Sequence, residues 1–296
     1  MTKRVIFSAK LDHEVFKKVA KELQTLPNIN VILHDPCTDF LDLENMDKFF
    51  EGVSDLIVKV RGDCSLDLLH YAKLHKIRAL HNVDTVLMCK NKVALDHALR
   101  LVFQNYKERL SSFLLPRSWT SNPQKRDVFK KWASSRLPIV LKSHFQHDKY
   151  MRFTFLVNEL KEIDEFYERY AQFLYYDLYI QEFIECDQID RKIYVIGDKV
   201  LGIQRENPIY IFLRDRPDSI NVDEIKRDNF KVTKEIKELA MILSKELKLK
   251  IFGFDLIKPL DSEKFYLVDL NDFPGFRGIP NIEKTFIDFF KQYLTT

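Results

Sequence analysis

Apolar and polar positions alternate along the first third of the chain in a way that predicts strand, helix, strand, helix. Val5-Ile6-Phe7 is a short apolar run, and Asp12 is placed to cap a helix whose apolar residues Val15, Val19, Leu23 and Leu26 recur at helical spacing. Residues 30–34 predict a second strand, 42–50 a second helix, 55–60 a third strand, 65–75 a third helix and 77–81 a fourth strand. Such alternation implies a parallel sheet with helices on its faces. A longer helix follows over 92–111, with Leu95, Leu99, Val102, Tyr106 and Leu110 on one side, and Pro116 stops it.

The pattern then changes. Residues 138–143, 150–157 and 178–184 predict strands around an amphipathic helix at 160–171, and 192–196 with 199–205 form a hairpin about Gly197-Asp198. A helix at 233–247 precedes two strands, 251–258 and 264–270, and a glycine-containing loop leads into a last helix at 281–294. The expected fold class is therefore α/β followed by α+β.

At 296 residues the chain exceeds one ordinary core. Its 46% hydrophobic content, with 24 Phe, excludes a disordered chain. With 47 basic against 44 acidic residues, a strongly cationic nucleic-acid or membrane coat is also excluded, while a local cationic pocket is not. Cys37, Cys64, Cys89 and Cys186 are scattered, so a reducing compartment is expected. No apolar run approaches the ~18 residues of a membrane span. These features predict a soluble, cytoplasmic protein with no nucleic-acid or membrane partner.

Candidate chemistry concentrates near the carboxyl end. If the strands at 251–258 and 264–270 pair through their short turn, Asp255 and Asp269 lie nearly opposite, and Asn271 shares the face of Asp269. Like charges directly opposite destabilise a hairpin, so a neutralising group is required. Two carboxylates and an amide oxygen suit Mg²⁺ or Mn²⁺ shared with nucleotide phosphates. The plainer alternative is that Asp255 points to solvent and that Asp269 and Asn271 merely begin a turn.

Lys142 ends a short apolar strand, where a lysine needs a partner: a phosphate, or simply water. Lys90 and Lys92 begin a helix, where the dipole disfavours cations, which hints at a nearby anion. Lys192 and Arg205 lie on the two arms of the Gly197 hairpin and can face one site or form surface ion pairs. Walker A, G-x-G-x-x-G, G-x-S-x-G and H-E-x-x-H patterns are absent. His144 and His147 alone make a weak zinc case.

The order of these features resembles the ATP-grasp superfamily. It comprises the strand ending in Lys142, Gln181-Glu-Phe183-Ile, Lys192-Ile-Tyr-Val-Ile-Gly197, Gln204-Arg205, Gly253-Phe-Asp255 and Val268-Asp269-Leu-Asn271-Asp-Phe-Pro-Gly275-Phe. Within the superfamily the chain most resembles the inositol 1,3,4-trisphosphate 5/6-kinases (inositol-tetrakisphosphate 1-kinases). The resemblance implies an ATP-grasp fold with an amino-terminal Rossmann-like pre-ATP-grasp domain at 1–86, a central lid at 87–185 and a metal-binding domain at 186–296. It also implies a monomeric kinase with ATP as co-substrate and two Mg²⁺ ions held by Asp255, Asp269 and Asn271.

Lys142, helped by Lys90, would contact the α- and β-phosphates, with adenine at Gln181 and the backbone near Phe183. Lys192 and Arg205 would touch the transferred phosphate or the acceptor, and Asn271 and Gly275 would also meet the acceptor. Lys10 and Lys59 match inositol-phosphate lysines at strand ends, and Arg277 is a further candidate cation. The family's glycine-containing loop and histidine after the strand lysine are replaced by a shorter glycine-free segment, in which His147 or Lys149 could serve. An ATP-grasp carboxylate–amine ligase, similar to glutamate ligases or glutathione synthase, is the alternative. Many such ligases carry Glu in place of Asp269 and Ser-Pro-Gly in place of Phe-Pro-Gly. A non-enzymatic ATP-binding module could dispense with the intact metal face.

Overall fold

The computed structural model describes residues 2–60, 62–144, 152–215 and 220–295, and three β-sheets organise these described residues. In the amino-terminal unit, β1 (Lys3–Ser8), α1 (Glu14–Gln24), β2 (Ile29–His34), α2 (Met46–Phe49), β3 (Val53–Val58), α3 (Asp63–Leu74) and β4 (Arg78–Ala79) follow one another. Their strands form the expected parallel sheet in the order β2-β1-β3-β4. The last four residues of β1 and of β3 are buried, as strands covered on both faces require.

Two local expectations are corrected here. Asp12 does not cap α1; His13 precedes it without a side-chain cap, and Asp12 pairs with Lys10 at 3.2 Å. The helix expected over 42–50 breaks into a 3₁₀ turn, Leu43–Asn45, and the four-residue α2, because the Asp42 side chain caps the turn through the Glu44 N–H.

Helices α4 (Val83–Lys90) and α5 (Lys92–Asn105) meet at Asn91, whose side chain accepts the N–H groups of Val93 at 3.0 Å and Ala94 at 2.9 Å. This cap places Lys90 at the end of one helix and Lys92 at the start of the next. The chain leaves α5 six residues before the expected end at 111 to form β5 (Phe113–Leu114), which pairs with the edge of the largest sheet.

A second, antiparallel sheet comes from β6 (Ser118–Ser121), α6 (Arg126–Ala133), β7 (Ile139–Ser143), β8 (Thr154–Val157), α7 (Leu160–Arg169) and β9 (Leu178–Glu182), in the order β6-β9-β7-β8. Its core of Phe129, Phe153, Phe155, Ile163, Phe166 and Ile180 is drawn from its own residues.

The third sheet contains β10 (Ile189–Ile196) and β11 (Lys199–Glu206), then, after α8 (Pro208–Asp215), β12 (Asp228–Asn229). After α9 (Lys234–Glu246) come β13 (Ile251–Ile257) and β14 (Phe265–Asp272), and α10 (Ile282–Thr295) closes the order. The six strands run β12-β11-β10-β13-β14-β5. The predicted hairpin is present: Ile196 pairs with Lys199 across Gly197-Asp198, and Gly197 has φ +62.

Alternation along these strands explains the location of the site. Ile193, Val195, Phe252 and Phe254 face a core shared with α5 and α9. On the opposite face Tyr194, Ile196 and Ile251 join a core with α1 and α10, built on contacts such as Phe7 to Phe290 at 6.0 Å. That helical cover ends before Lys192 and Asp255. Among the described residues no helix is long and apolar enough to cross a membrane.

Candidate functional site

Beyond the helical cover, the half of the third sheet that α1 and α10 leave uncovered carries a row of charges. Asp255 pairs with Asp269 in the β13–β14 register, Lys192 with Asp255 in β10–β13, and Asp190 with Arg205 in β10–β11. The Lys192 ammonium forms an ion pair with Asp255 Oδ2 and lies 3.5 Å from Asp190 Oδ2. Arg205 donates from Nε and Nη2 to Asp190 Oδ2 at 3.2 and 3.1 Å. On β14, Asn271 Nδ2 donates to Asp269 Oδ2 at 2.8 Å, while Asp269 Oδ1 pairs with Lys92 from the start of α5. From β7 of the second sheet, Lys142 Nζ donates to Gln181 Oε1 at 2.6 Å and crosses to Val268 O at 3.1 Å.

The charges shift one another. Burial raises the Asp255 pKa to about 6, helped by the neighbouring carboxylates Asp190 and Asp269, while Lys192 opposes the rise. Burial also acts to raise that of Asp269, but Lys92 and Lys142, with the Asn271 hydrogen bond, outweigh it and hold the carboxyl well below the usual range. Burial works against the Lys192 ammonium, yet Asp190 and Asp255 keep its pKa above the ordinary lysine value. For Lys142 burial wins, and the pKa falls despite Asp269.

This row forms one wall of a cavity of about 570 Å³ between the second and third sheets. Lys142, Gln181, Phe183, Lys192, Arg205, Asp255, Asp269 and Asn271 all line it, so the structure brings these expected residues together. The Phe183 N–H donates to Pro138 O at 3.1 Å. Its neighbour Ile184 also borders the cavity.

Other expected residues lie elsewhere. Lys90, at the end of α4, is not on the cavity wall, because Asn91 separates it from the helix start. Lys10 pairs with Asp12 at the surface. Lys59 is buried; its ammonium donates to Phe273 O and, at 2.9 Å, to Pro274 O, and it sits 4.9 Å from the Phe273 ring centre. It fastens β3 to the loop after β14 rather than facing the cavity. Gly275 is exposed beside that loop, and Arg277 pairs with Asp223. His147 and Lys149 lie outside the described residues.

Sequence reasoning passed over Asp190, although its position two residues before Lys192 puts both on one face. It treated Lys92 only as a misfit at a helix start; the anion that the misfit called for is Asp269. Arg152 and Arg169, on the cavity wall, carried no motif.

The residues suit a hard cation. Among the described residues no group of three or more His, Cys, Asp or Glu is arranged to hold a metal ion, so a closed all-protein site is absent there. Asp255 and Asp269 with Asn271 instead offer two carboxylates and an amide, the sparse set that Mg²⁺ takes when phosphates supply further oxygens. Asp255 and Asp269 face each other across the ladder, and burial with the neighbouring carboxylates raises the Asp255 pKa although Lys192 opposes it, as expected where acidic groups are crowded together.

Comparison with solved structures fixes the architecture. The chain aligns with a Chryseobacterium gregarium RiPP-associated ATP-grasp ligase, in complex with ADP and a leader and core peptide, at TM-score 0.67 and 14% identity, covering 98% of this chain and 97% of that one. It aligns equally with the Bacillus anthracis D-alanine–D-alanine ligase complexed with ATP, at TM-score 0.67 and 11% identity, over 99% and 96% of the two chains. The fold is ATP-grasp. Within the ATP-grasp proteins, residues 213–292 match the model of the inositol 1,3,4-trisphosphate 5/6-kinase ATP-grasp domain. Inositol-tetrakisphosphate 1-kinase 3 of Oryza sativa subsp. japonica is 28% identical over 130 residues, covering 38% of this chain and 36% of that protein. The namesake from Arabidopsis thaliana is likewise 28% identical over 130 residues, 38% of this chain and 37% of its own length. The match thus spans little more than a third of these relatives.

Proposed function

We propose that this ATP-grasp protein is a Mg²⁺- and ATP-dependent kinase that transfers the γ-phosphoryl group to a hydroxyl of an inositol phosphate. The observation that carries the reading is the Asp255–Asp269 pair, set in a row with Lys192, Asp190 and Arg205 on the wall of a cavity that Gln181 and Phe183 also line. The match of residues 213–292 to the inositol-kinase domain supports the acceptor class. Adenine would lie by Gln181, Phe183 and Ile184, and Lys142 would hold the α- and β-phosphates. Asp255, Asp269 and Asn271 would hold Mg²⁺, which supplies charge neutralisation at the phosphates when bound.

Phosphoryl transfer depends on positioning and electrostatics more than on a strong base. Lys192 and Arg205 already stand on one sheet face, fixed by Asp190 and Asp255, and would meet the charge that spreads over the transferring group. Arg152 and Arg169, also on the cavity wall, would receive acceptor phosphates. We assign the three-part division at 1–86, 87–185 and 186–296 to the pre-ATP-grasp, lid and metal-binding parts.

The full-length likeness to ATP-grasp ligases favours a second reading, a carboxylate–amine ligase acting through an acyl phosphate. Incubation with Mg·ATP and a panel of inositol phosphates, amino acids and peptides separates the two. A kinase places phosphate on the acceptor; a ligase joins an amine and releases inorganic phosphate. No phosphorylated inositol product across the panel would overturn the kinase reading.

A further inference from the structure

Lys92 is placed against two physical preferences at once. Its side chain is only 4% exposed, and it occupies the first residue of α5, where the helix dipole disfavours a cation. Three oxygens compensate: Asp269 Oδ1 in an ion pair, Leu270 O at 3.4 Å and Asn271 Oδ1 at 3.5 Å. Two of those belong to the side chains assigned to the metal. The Lys92 backbone N–H also donates to His144 O at 3.2 Å, just past β7, so the same residue anchors the helix start to the lid.

The rest of the row repeats the arrangement. Lys192 neutralises Asp255 and Arg205 neutralises Asp190, while Lys142 adds a further cation beside Asp269. Every carboxylate of the row therefore has its own internal counter-charge. A divalent ion arriving alone would have to displace an ammonium or share its oxygen, against repulsion from several fixed cations. One arriving with a nucleotide brings a polyanion that Lys142, Lys192 and Arg205 attract.

We propose that Lys92 is a built-in counter-cation and positioning residue for Asp269, so that the site admits its divalent ion as the metal–nucleotide complex and not as the free ion. This rests on the assignment of Asp255, Asp269 and Asn271 to the metal.

The test is protein-bound Mn²⁺, measured by equilibrium dialysis and electron paramagnetic resonance on the whole chain, with and without a non-hydrolysable ATP analogue. Wild type should bind Mn²⁺ at least about tenfold more tightly with the analogue than without it. Lys92→Met should bind free Mn²⁺ roughly tenfold more tightly than wild type, and Lys92→Arg, which keeps the charge, should behave as wild type. Wild-type binding of free Mn²⁺ as tight as with the analogue overturns the proposal even if Lys92→Met fails to fold, and so does a folded Lys92→Met with no gain. Absence of Mn²⁺ uptake even with the analogue overturns the metal assignment itself, and this inference with it.

Discussion

Lys192 on β10 and Asp255 on β13 stand directly opposite each other and form an ion pair at the boundary where α1 and α10 cease to cover the sheet. The pairing sets the acidic residue between a cation on one side and the carboxylate of Asp269 on the other. Everything proposed for this chain turns on that short row.

Asp269→Asn keeps the shape of the side chain and removes its charge. Phosphoryl transfer should fall by ~10²-fold or more, the scale of losing a preorganised electrostatic contact. Far-ultraviolet circular dichroism should be unchanged. Full turnover in a folded variant would remove Asp269 from the metal site.

Acid should loosen the chain through His81. This ring is buried, its Nε2 accepts the N–H groups of Lys250 at 3.0 Å and Ile251 at 3.1 Å, and its Nδ1 has no partner among the described residues. Burial lowers its pKa from 6.5 to about 4. Below 6.5 the unfolded chain binds the proton more readily than the folded one, so this contribution is whole above 6.5 and is lost as pH falls toward 4. The loss amounts to about 3 kcal/mol. Denaturant unfolding at pH 7 and pH 4.5 should show it, and His81→Gln should flatten the difference. Equal slopes for wild type and variant would contradict the assignment.

Gly253 faces Asn271 across the β13–β14 ladder. A Cβ there would lie 2.9 Å from Pro274 Cγ, 3.0 Å from Tyr194 Cδ1 and 3.2 Å from Ile193 O. Gly253→Ala should cost ~1–3 kcal/mol by overpacking and push the 272–275 loop away from the site. A melting temperature equal to wild type would show that the loop yields freely.

Lys59→Met separates two roles. As a tie to Phe273 O and Pro274 O, Lys59 should be missed in stability, by ~1–3 kcal/mol. As an acceptor ligand, its loss would leave the melting temperature alone and raise KM for the inositol phosphate. The expected result is the lower melting temperature.

The strands that bear the site were legible because their apolar runs flank a short turn, and Asp269 and Asn271 share a face by pleat. The facing of Asp255 and Asp269, however, depends on a register shift between Asp255 and Leu256, without which Asp255 would stand opposite Val268. The Gly197-Asp198 hairpin was legible for a similar reason, a two-residue turn chemistry that fixes register. Helix α4 and the split at Asn91 were not, since periodicity runs straight through a junction where one amide both ends and begins a helix. Strands β5 and β6 were too short and too mixed in character to register. The pairing of Lys92 with Asp269 joins residues 177 positions apart, and no local pattern encodes it. Lys59 was misleading because a strand-end lysine looks alike whether it awaits a phosphate or backbone carbonyls.

Phe7 and Phe16 pack against Phe286 and Phe290, so the earliest and latest helices share one apolar interior. During synthesis the amino-terminal strands would leave the ribosome long before the aromatic residues that keep them dry. Until α10 arrives, the apolar side shared by β1 and α1, with Phe7 and Phe16 on it, would stay uncovered, and a chaperone or an aggregation partner would meet it there first.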